Sequence, residues 1–310
     1  MKKSRIIIAS LIFVSILIVV LLPYMAGISP GRQGTRTGED RIVVISLSGS
    51  IQESQSGFFY SGISPRLVRS QLERAAEDRS IKGIVLRVES PGGSIAASQE
   101  IAAMVRDYEK PIVVSMADIA ASGGYYIAAP AQGIVAQPGT LTGSIGVIST
   151  LMNMDGLYEM LGIEVETFKS GEHKDMFSRS LTEKERKIMQ DISDEAYNQF
   201  IAAVAEGRNM SIEEVRKLAT GQIFLGSQAL ELGLVDRLGG IDEAVKYLAE
   251  LNGFENPVRY EFPQPSMFTQ LFDYGYQVLN MLKKNIVRPE LIMLDMLREG
   301  FPPDIRYQVR

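Results

Sequence analysis

The 310-residue chain contains no cysteine, which excludes disulfides, thiol nucleophiles and thiolate metal sites. It has one histidine, His173. Catalytic zinc sites draw on two or three histidines or on cysteines, so no metal site is expected. The same scarcity narrows acid–base chemistry, because a general base must be His173, a carboxylate or a lysine. A basic excess is missing too. The 32 basic and 37 acidic residues leave a net charge of −5, which gives no reason to expect a nucleic-acid partner. Apolar residues are plentiful at 45%, enough to bury one good-sized core or two smaller ones.

Lys2, Lys3 and Arg5 precede an uncharged apolar run over residues 6–27. Roughly 20 residues at a rise of about 1.5 Å cross a hydrocarbon core of about 30 Å. A cleaved secretory signal has a shorter apolar core, about 7–15 residues, and small residues at −3 and −1 of the cut. Tyr24 at −3 before Gly27 is a poor match to that pattern. Residues 1–27 are therefore expected to form a cytoplasmic N-terminus and a transmembrane helix, with residues 6–27 in the lipid bilayer. Basic residues stay on the cytoplasmic side, which places the rest of the chain outside. Residues 28–41 (ISPGRQGTRTGEDR) mix glycine, proline and charge and read as a stalk.

From there short β-rich runs alternate with helical patterns. Strands are expected at 41–47 (RIVVISL), 81–88 (IKGIVLRV), 111–116 (PIVVSM), 133–136, 144–149 and 163–168. Ser64 offers an N-cap with Pro65 at the first helical position, followed by the stripe Val68, Leu72, Ala75 and Ala76. A further helix runs from Ser94 to about Asp107. Thr182 with Glu185, and Ser211 with Glu214, have the spacing of capping boxes. The first opens a long helix whose stripe is Ile188, Ile192, Ala196, Phe200 and Val204. Residues 229–232 and 241–251 complete a domain over 42–252. This alternation predicts an α/β fold, a largely parallel sheet covered by helices. Residues 253–310 form a C-terminal extension of unassigned role, in which Met267, Phe268, Leu271, Phe272, Leu279 and Leu282 have helical spacing.

Three glycine-bearing loops follow apolar strands. In Ser90-Pro91-Gly92-Gly93-Ser94 the paired glycines allow backbone N–H groups to point into a cleft, as an oxyanion site needs. No G-K-[ST] follows, which argues against a phosphate loop. In Ala120-Ala121-Ser122-Gly123-Gly124-Tyr125-Tyr126 a short helix is expected just after Ser122. That serine can be a nucleophile at the positive end of a helix dipole, with the Gly123 N–H as one oxyanion donor, or a simple helix cap. Leu141-Thr142-Gly143-Ser144-Ile145-Gly146-Val147 offers Ser144 as a rival nucleophile, although turn chemistry explains it.

Taken in order, ESPGGS, ADIAASGGYYIA, LTGSIGV, TFKSGEHKD and GQIFLGSQALELGLVDRLGG resemble the signal peptide peptidase A family of bacterial membrane peptidases, over about residues 41–252. The resemblance implies a fold like that of the Clp protease proteolytic subunit and the crotonases, and a Ser–Lys dyad without cofactor. It makes Ser122 the nucleophile and Lys174 the general base, with Lys169 the local rival and Gly92, Gly93 and Gly123 in the oxyanion hole. His173, beside the lysine, is the alternative base for a triad. The implied substrates are released signal peptides and other unfolded or hydrophobic peptides. A crotonase-like acyl-CoA enzyme and a non-catalytic membrane scaffold are the rival classes. In longer members of the family the chain is duplicated, with serine and lysine in different halves. A short chain bearing both is then expected to pair them between copies in a ring-shaped homo-oligomer.

Overall fold

The computed structural model describes residues 40–53 and 62–262. The expected transmembrane helix, the stalk as far as residue 39 and the apolar pattern at 267–282 lie outside them. Among the described residues there are eight strands and eight helices. The strands are β1 (Asp40–Ser48), β2 (Ile81–Ser90), β3 (Ile112–Ala121), β4 (Gly133–Ala136), β5 (Leu141–Gly143), β6 (Ile223–Leu225), β7 (Arg237–Leu238) and β8 (Pro257–Glu261). The helices are α1 (Pro65–Glu77), α2 (Ile95–Arg106), α3 (Gly123–Ala128), α4 (Asp155–Leu161), α5 (Glu183–Arg208), α6 (Ile212–Leu218), α7 (Gly226–Glu231) and α8 (Ile241–Asn252).

One sheet runs in the order β6-β5-β3-β2-β1-β8, with β4 paired to the first half of β3 and to β7. Every pairing is parallel except β5 with β6. A parallel sheet covered on both faces needs strands that are apolar on both sides, which is why β1 reads IVVI without polar alternation. Its side chains alternate between two cores. Val43, Ile45 and Leu47 join the larger core with α1, α2, α3 and the C-terminal half of α5. Ile42 and Val44 join a smaller one against Ala244, Val245 and Leu248 of α8.

The helix starts follow their caps. Ser64 accepts from Leu67 N–H ahead of Pro65, and both expected capping boxes are formed. Val68, Leu72 and Ala75 are buried, whereas Ala76 faces out. On α5 only the later part of the expected stripe enters the core: Phe200 and Val204 are buried, and Ile192 is exposed.

Two expected strands are corrected. Residues 144–149 and 163–168 form no strand, since among the described residues no strand ladder includes them. The short strand near the first lies just upstream instead, as β5. Along 163–168 Val165 and Phe168 stand in solvent, Phe168 at 92% exposure. A β-rich composition without a ladder partner has nothing to satisfy its backbone as a strand. Conversely, β3 runs on to Ala121, past the expected end at Met116, and β8 adds a parallel strand beyond residue 252.

Candidate active site

β3 pairs with β4 through its first half and with β5 through Ile119–Ala121, so its end is gripped on both sides where the chain turns into α3. Ser122 occupies that turn with φ 53° and ψ −120°, a backbone region that costs a non-glycine residue about 1–3 kcal/mol. Its N–H donates to Gly143 O at 2.8 Å and its carbonyl accepts from Tyr126 N–H at 2.9 Å, which hold the strained conformation. The hydroxyl makes no capping bond to α3, so the serine is not spent as a helix cap.

The loop after β2 packs backbone against backbone on this elbow. Gly92 has φ +103°, and a Cβ built on it would lie 2.7 Å from Gly123 N and 2.9 Å from Ser122 Cβ. A Cβ on Gly93 would collide with the Ile51 carbonyl, because Gly93 forms a parallel bridge with Ile51. A Cβ on Gly124 would sit 2.7 Å from Ser90 O. Glycine is required along this seam because nothing larger lets the two loops touch.

The N–H groups divide into used and free. Gly92 N–H donates to Ser90 Oγ at 3.1 Å. The Gly93 and Gly123 N–H groups donate to nothing among the described residues, and Gly93 N lies 3.2 Å from the position of a Cβ on Gly123. Two unspent donors therefore sit beside the nucleophile candidate, one at the first position of α3. The sequence pointed to the S-P-G-G-S loop but not to the part played by Ser90, whose hydroxyl occupies Gly92. Ser144 follows Gly143 with φ 50°, and its N–H donates to Gln222 O, so it caps the β5 loop beside the elbow.

No hydrogen bond joins Lys174 to Ser122 among the described residues. The lysine is exposed, in a turn ahead of α5, and its ammonium makes no hydrogen bond or ion pair among the described residues. Lys169 is engaged, donating to Asp175 Oδ1 at 2.7 Å and to Glu172 O at 3.1 Å. His173 Nδ1 lies 3.0 Å from Glu185 Oε1, which draws the imidazole to α5 rather than to Ser122. Among the described residues no cluster of histidine and carboxylate side chains could hold a metal ion.

Residues 104–255 match the model of peptidase family S49, a span that contains both Ser122 and Lys174. The chain is 42% identical over 186 residues to a protease of Synechocystis, covering 59% of this chain and 67% of that protein. It is 38% identical over 214 residues to a protease of Methanocaldococcus jannaschii, covering 67% of this chain and 69% of that one. This chain belongs to peptidase family S49. It is a serine peptidase, and the sequence resemblance to signal peptide peptidase A is borne out by a 41% match to a protein of that name from Enterococcus faecium. That match covers 67% of this chain and 62% of the relative, so more than a third of the latter lies outside it.

A Clp protease model also matches, over residues 58–138. Within this S49 peptidase that span holds Gly92, Gly93, Ser122 and Gly123 and ends before Lys174. The mixed α/β fold with a largely parallel, Clp-protease-like sheet agrees with the expectation.

Proposed function

We propose that this peptidase is a membrane-anchored serine endopeptidase, with Ser122 as nucleophile and Lys174 as general base. Its substrates are released signal peptides and other unfolded or hydrophobic peptides. The observation that carries this reading is the strained Ser122 elbow beside two unspent N–H groups, those of Gly93 and Gly123. Gly92 contributes through its missing side chain, which allows the two loops to touch.

The chemistry follows. Ser122 Oγ attacks the scissile carbonyl carbon as its proton passes to neutral Lys174 Nζ. The negative oxygen that develops accepts from the Gly93 and Gly123 N–H groups, the kind of preorganised stabilisation worth about 10²–10³ in rate per donor. The lysine then gives its proton to the departing amine, leaving an acyl-enzyme. Water, deprotonated by the same lysine, releases the acid and restores Ser122.

A lysine of ordinary pKa, about 10.4, is neutral in roughly one molecule in 2,500 at pH 7. It must be desolvated to work as a base. Lys174 is exposed in the single chain, so a second copy has to cover it. Exposed apolar side chains along the flanking sequence support that arrangement: Ile148 (88% exposed), Met152, Met160, Val165, Phe168 and Phe177, together with α4, which has no buried residue. Large apolar side chains left in solvent along one stretch of chain are a feature of contacts between proteins. We therefore assign Ser122 and Lys174 of one working site to neighbouring copies in a ring-shaped homo-oligomer. Each contact is head-to-tail, and closure gives the ring.

Lys174 is favoured over Lys169 because Lys169 is already paired with Asp175. The basic N-terminus and the apolar run at 6–27 support a peptidase domain on the outer side of the bacterial cell membrane. The test is an acylating active-site serine probe with mapping of the labelled peptide. Label at Ser122, and loss of peptide hydrolysis in Ser122→Ala and Lys174→Ala, are expected. A fully active Ser122→Ala variant would remove the reading.

A further inference from the structure

The turn that carries Lys174 is held by charge-assisted hydrogen bonds that the proposed chemistry does not use. Arg179 donates from Nε to Asp175 Oδ2 at 2.9 Å and from Nη2 to Asp175 Oδ1 at 3.0 Å. It also donates from Nη1 to Glu185 Oε2 at 2.9 Å and from Nη2 to Glu185 Oε1 at 2.8 Å. One guanidinium thus grips two carboxylates, each through both oxygens, a geometry its planar fork allows and an ammonium does not.

Glu185 is only 1% exposed and is the N3 residue of the α5 capping box, with Oε2 also accepting from Thr182 N–H at 2.9 Å. Its Oε1 faces His173 Nδ1 at 3.0 Å. Asp175 also accepts from Lys169 at 2.7 Å. Both sequence neighbours of Lys174 are therefore tied to the start of α5, His173 through Glu185 and Asp175 through Arg179. Lys174 alone between them projects an unpaired ammonium.

Packing does not hold this turn. Between residues 171 and 180 Met176 is the one buried side chain, and the local backbone bonds from Lys174 N–H and Met176 N–H are long, at 3.4 and 3.3 Å. Arg179, and after it Lys169, draw the Asp175 carboxyl down to about 2, and Arg179 with His173 holds Glu185 well below the carboxylate range. The clamp therefore stays charged at any pH where a lysine base works.

We propose that Arg179 and Glu185 are positioning residues for Lys174, fixing the turn so that its Nζ enters the neighbouring copy's site at one place. The proposal rests on the reading of Lys174 as the general base. A misplacement of about 1 Å can cost on the order of 10²-fold in rate, which gives the clamp a purpose.

The experiment uses the full chain in detergent, with Arg179→Lys as the first variant and Glu185→Gln as the second should the first not fold. Lys187→Ala, which removes an exposed pair with Asp191 on α5, is the control. Assembly, thermal unfolding, and kcat and KM across pH are measured for each, with Lys174→Ala alongside. Arg179→Lys keeps the charge but loses the fork. Its kcat is expected to fall by about 10–100-fold with KM within about threefold. The acidic limb of the pH–rate profile should move to higher pH, because a loosened Lys174 is better hydrated and holds its proton longer.

An assembled Arg179→Lys protein with normal kcat and an unmoved acidic limb would overturn the proposal. So would a loss of activity that tracks loss of assembly or folding while the limb stays in place, since that is a purely structural role. Full activity in Lys174→Ala would instead locate the failure in the base assignment.

Discussion

Gly92→Ala is the sharpest perturbation of the elbow, because it adds one methyl group and touches no ionisable group. At φ +103° alanine is strained by about 1–3 kcal/mol. The new Cβ would stand 2.7 Å from Gly123 N, 2.9 Å from Ser122 Cβ and 3.1 Å from Ala121 O, all closer than carbon packs. Two of the three are backbone atoms that cannot rotate away, so overpacking adds about 1–3 kcal/mol. A total of about 2–6 kcal/mol lowers the melting temperature by roughly 4–24 °C for a domain of this size. Relief requires the two loops to part, which moves the Gly123 N–H away from the oxyanion position. Loss of one such donor lowers kcat by about 10²–10³. Thermal unfolding and peptide hydrolysis, measured below the variant's melting temperature, read the two effects separately. A Gly92→Ala protein with unchanged melting temperature and kcat would refute the packed-loop geometry and the oxyanion assignment built on it.

Three further outcomes are expected. Tyr125→Phe removes the hydroxyl that donates to Leu234 O at 2.8 Å in the core, which should cost about 1–3 kcal/mol and several degrees of melting temperature with little change in kcat; an unshifted melting curve would contradict it. Asp175 has a folded-state value of about 2 against an ordinary 3.8, so its contribution is complete above about pH 4 and is lost as the pH falls through 2. Hydrogen-exchange protection across residues 171–180 should therefore drop between pH 4 and pH 2, and constant protection would argue against the clamp. Protease added to intact spheroplasts should digest the chain beyond residue 41, whereas digestion only after lysis would reverse the topology.

Much of the scaffold was legible because local chemistry and tertiary structure agree there. The runs IVVI and GIVLRV have one use in a domain of this size, as strands covered on both faces. Ser64-Pro65, Thr182 with Glu185 and Ser211 with Glu214 specify helix starts through their own hydrogen bonds, and all three are made. Residues 163–168 misled because β propensity reports fitness for a sheet surface and cannot say whether a partner strand is present. The N-terminal half of the α5 stripe failed similarly, since Ile192 has the right period but faces no core among the described residues. At the site the sequence located the elbow and the glycine loop. It could not show that Ser90 occupies the Gly92 N–H, nor that Glu185, recognised as a cap, also holds Arg179 and His173. Those roles depend on which side chains the fold brings together.

The proposed division of one site between two copies is tested most directly by complementation. Ser122→Ala and Lys174→Ala chains, each inactive alone, are co-expressed with different tags, and mixed oligomers are isolated through both. In a random equal mixture about a quarter of the head-to-tail contacts pair an intact Ser122 with an intact Lys174. Peptide hydrolysis should therefore return to a comparable fraction of the unmutated level, with the serine probe labelling the chain that retains Ser122. Verified mixed oligomers as inactive as either parent would place serine and lysine in the same subunit and contradict the shared site.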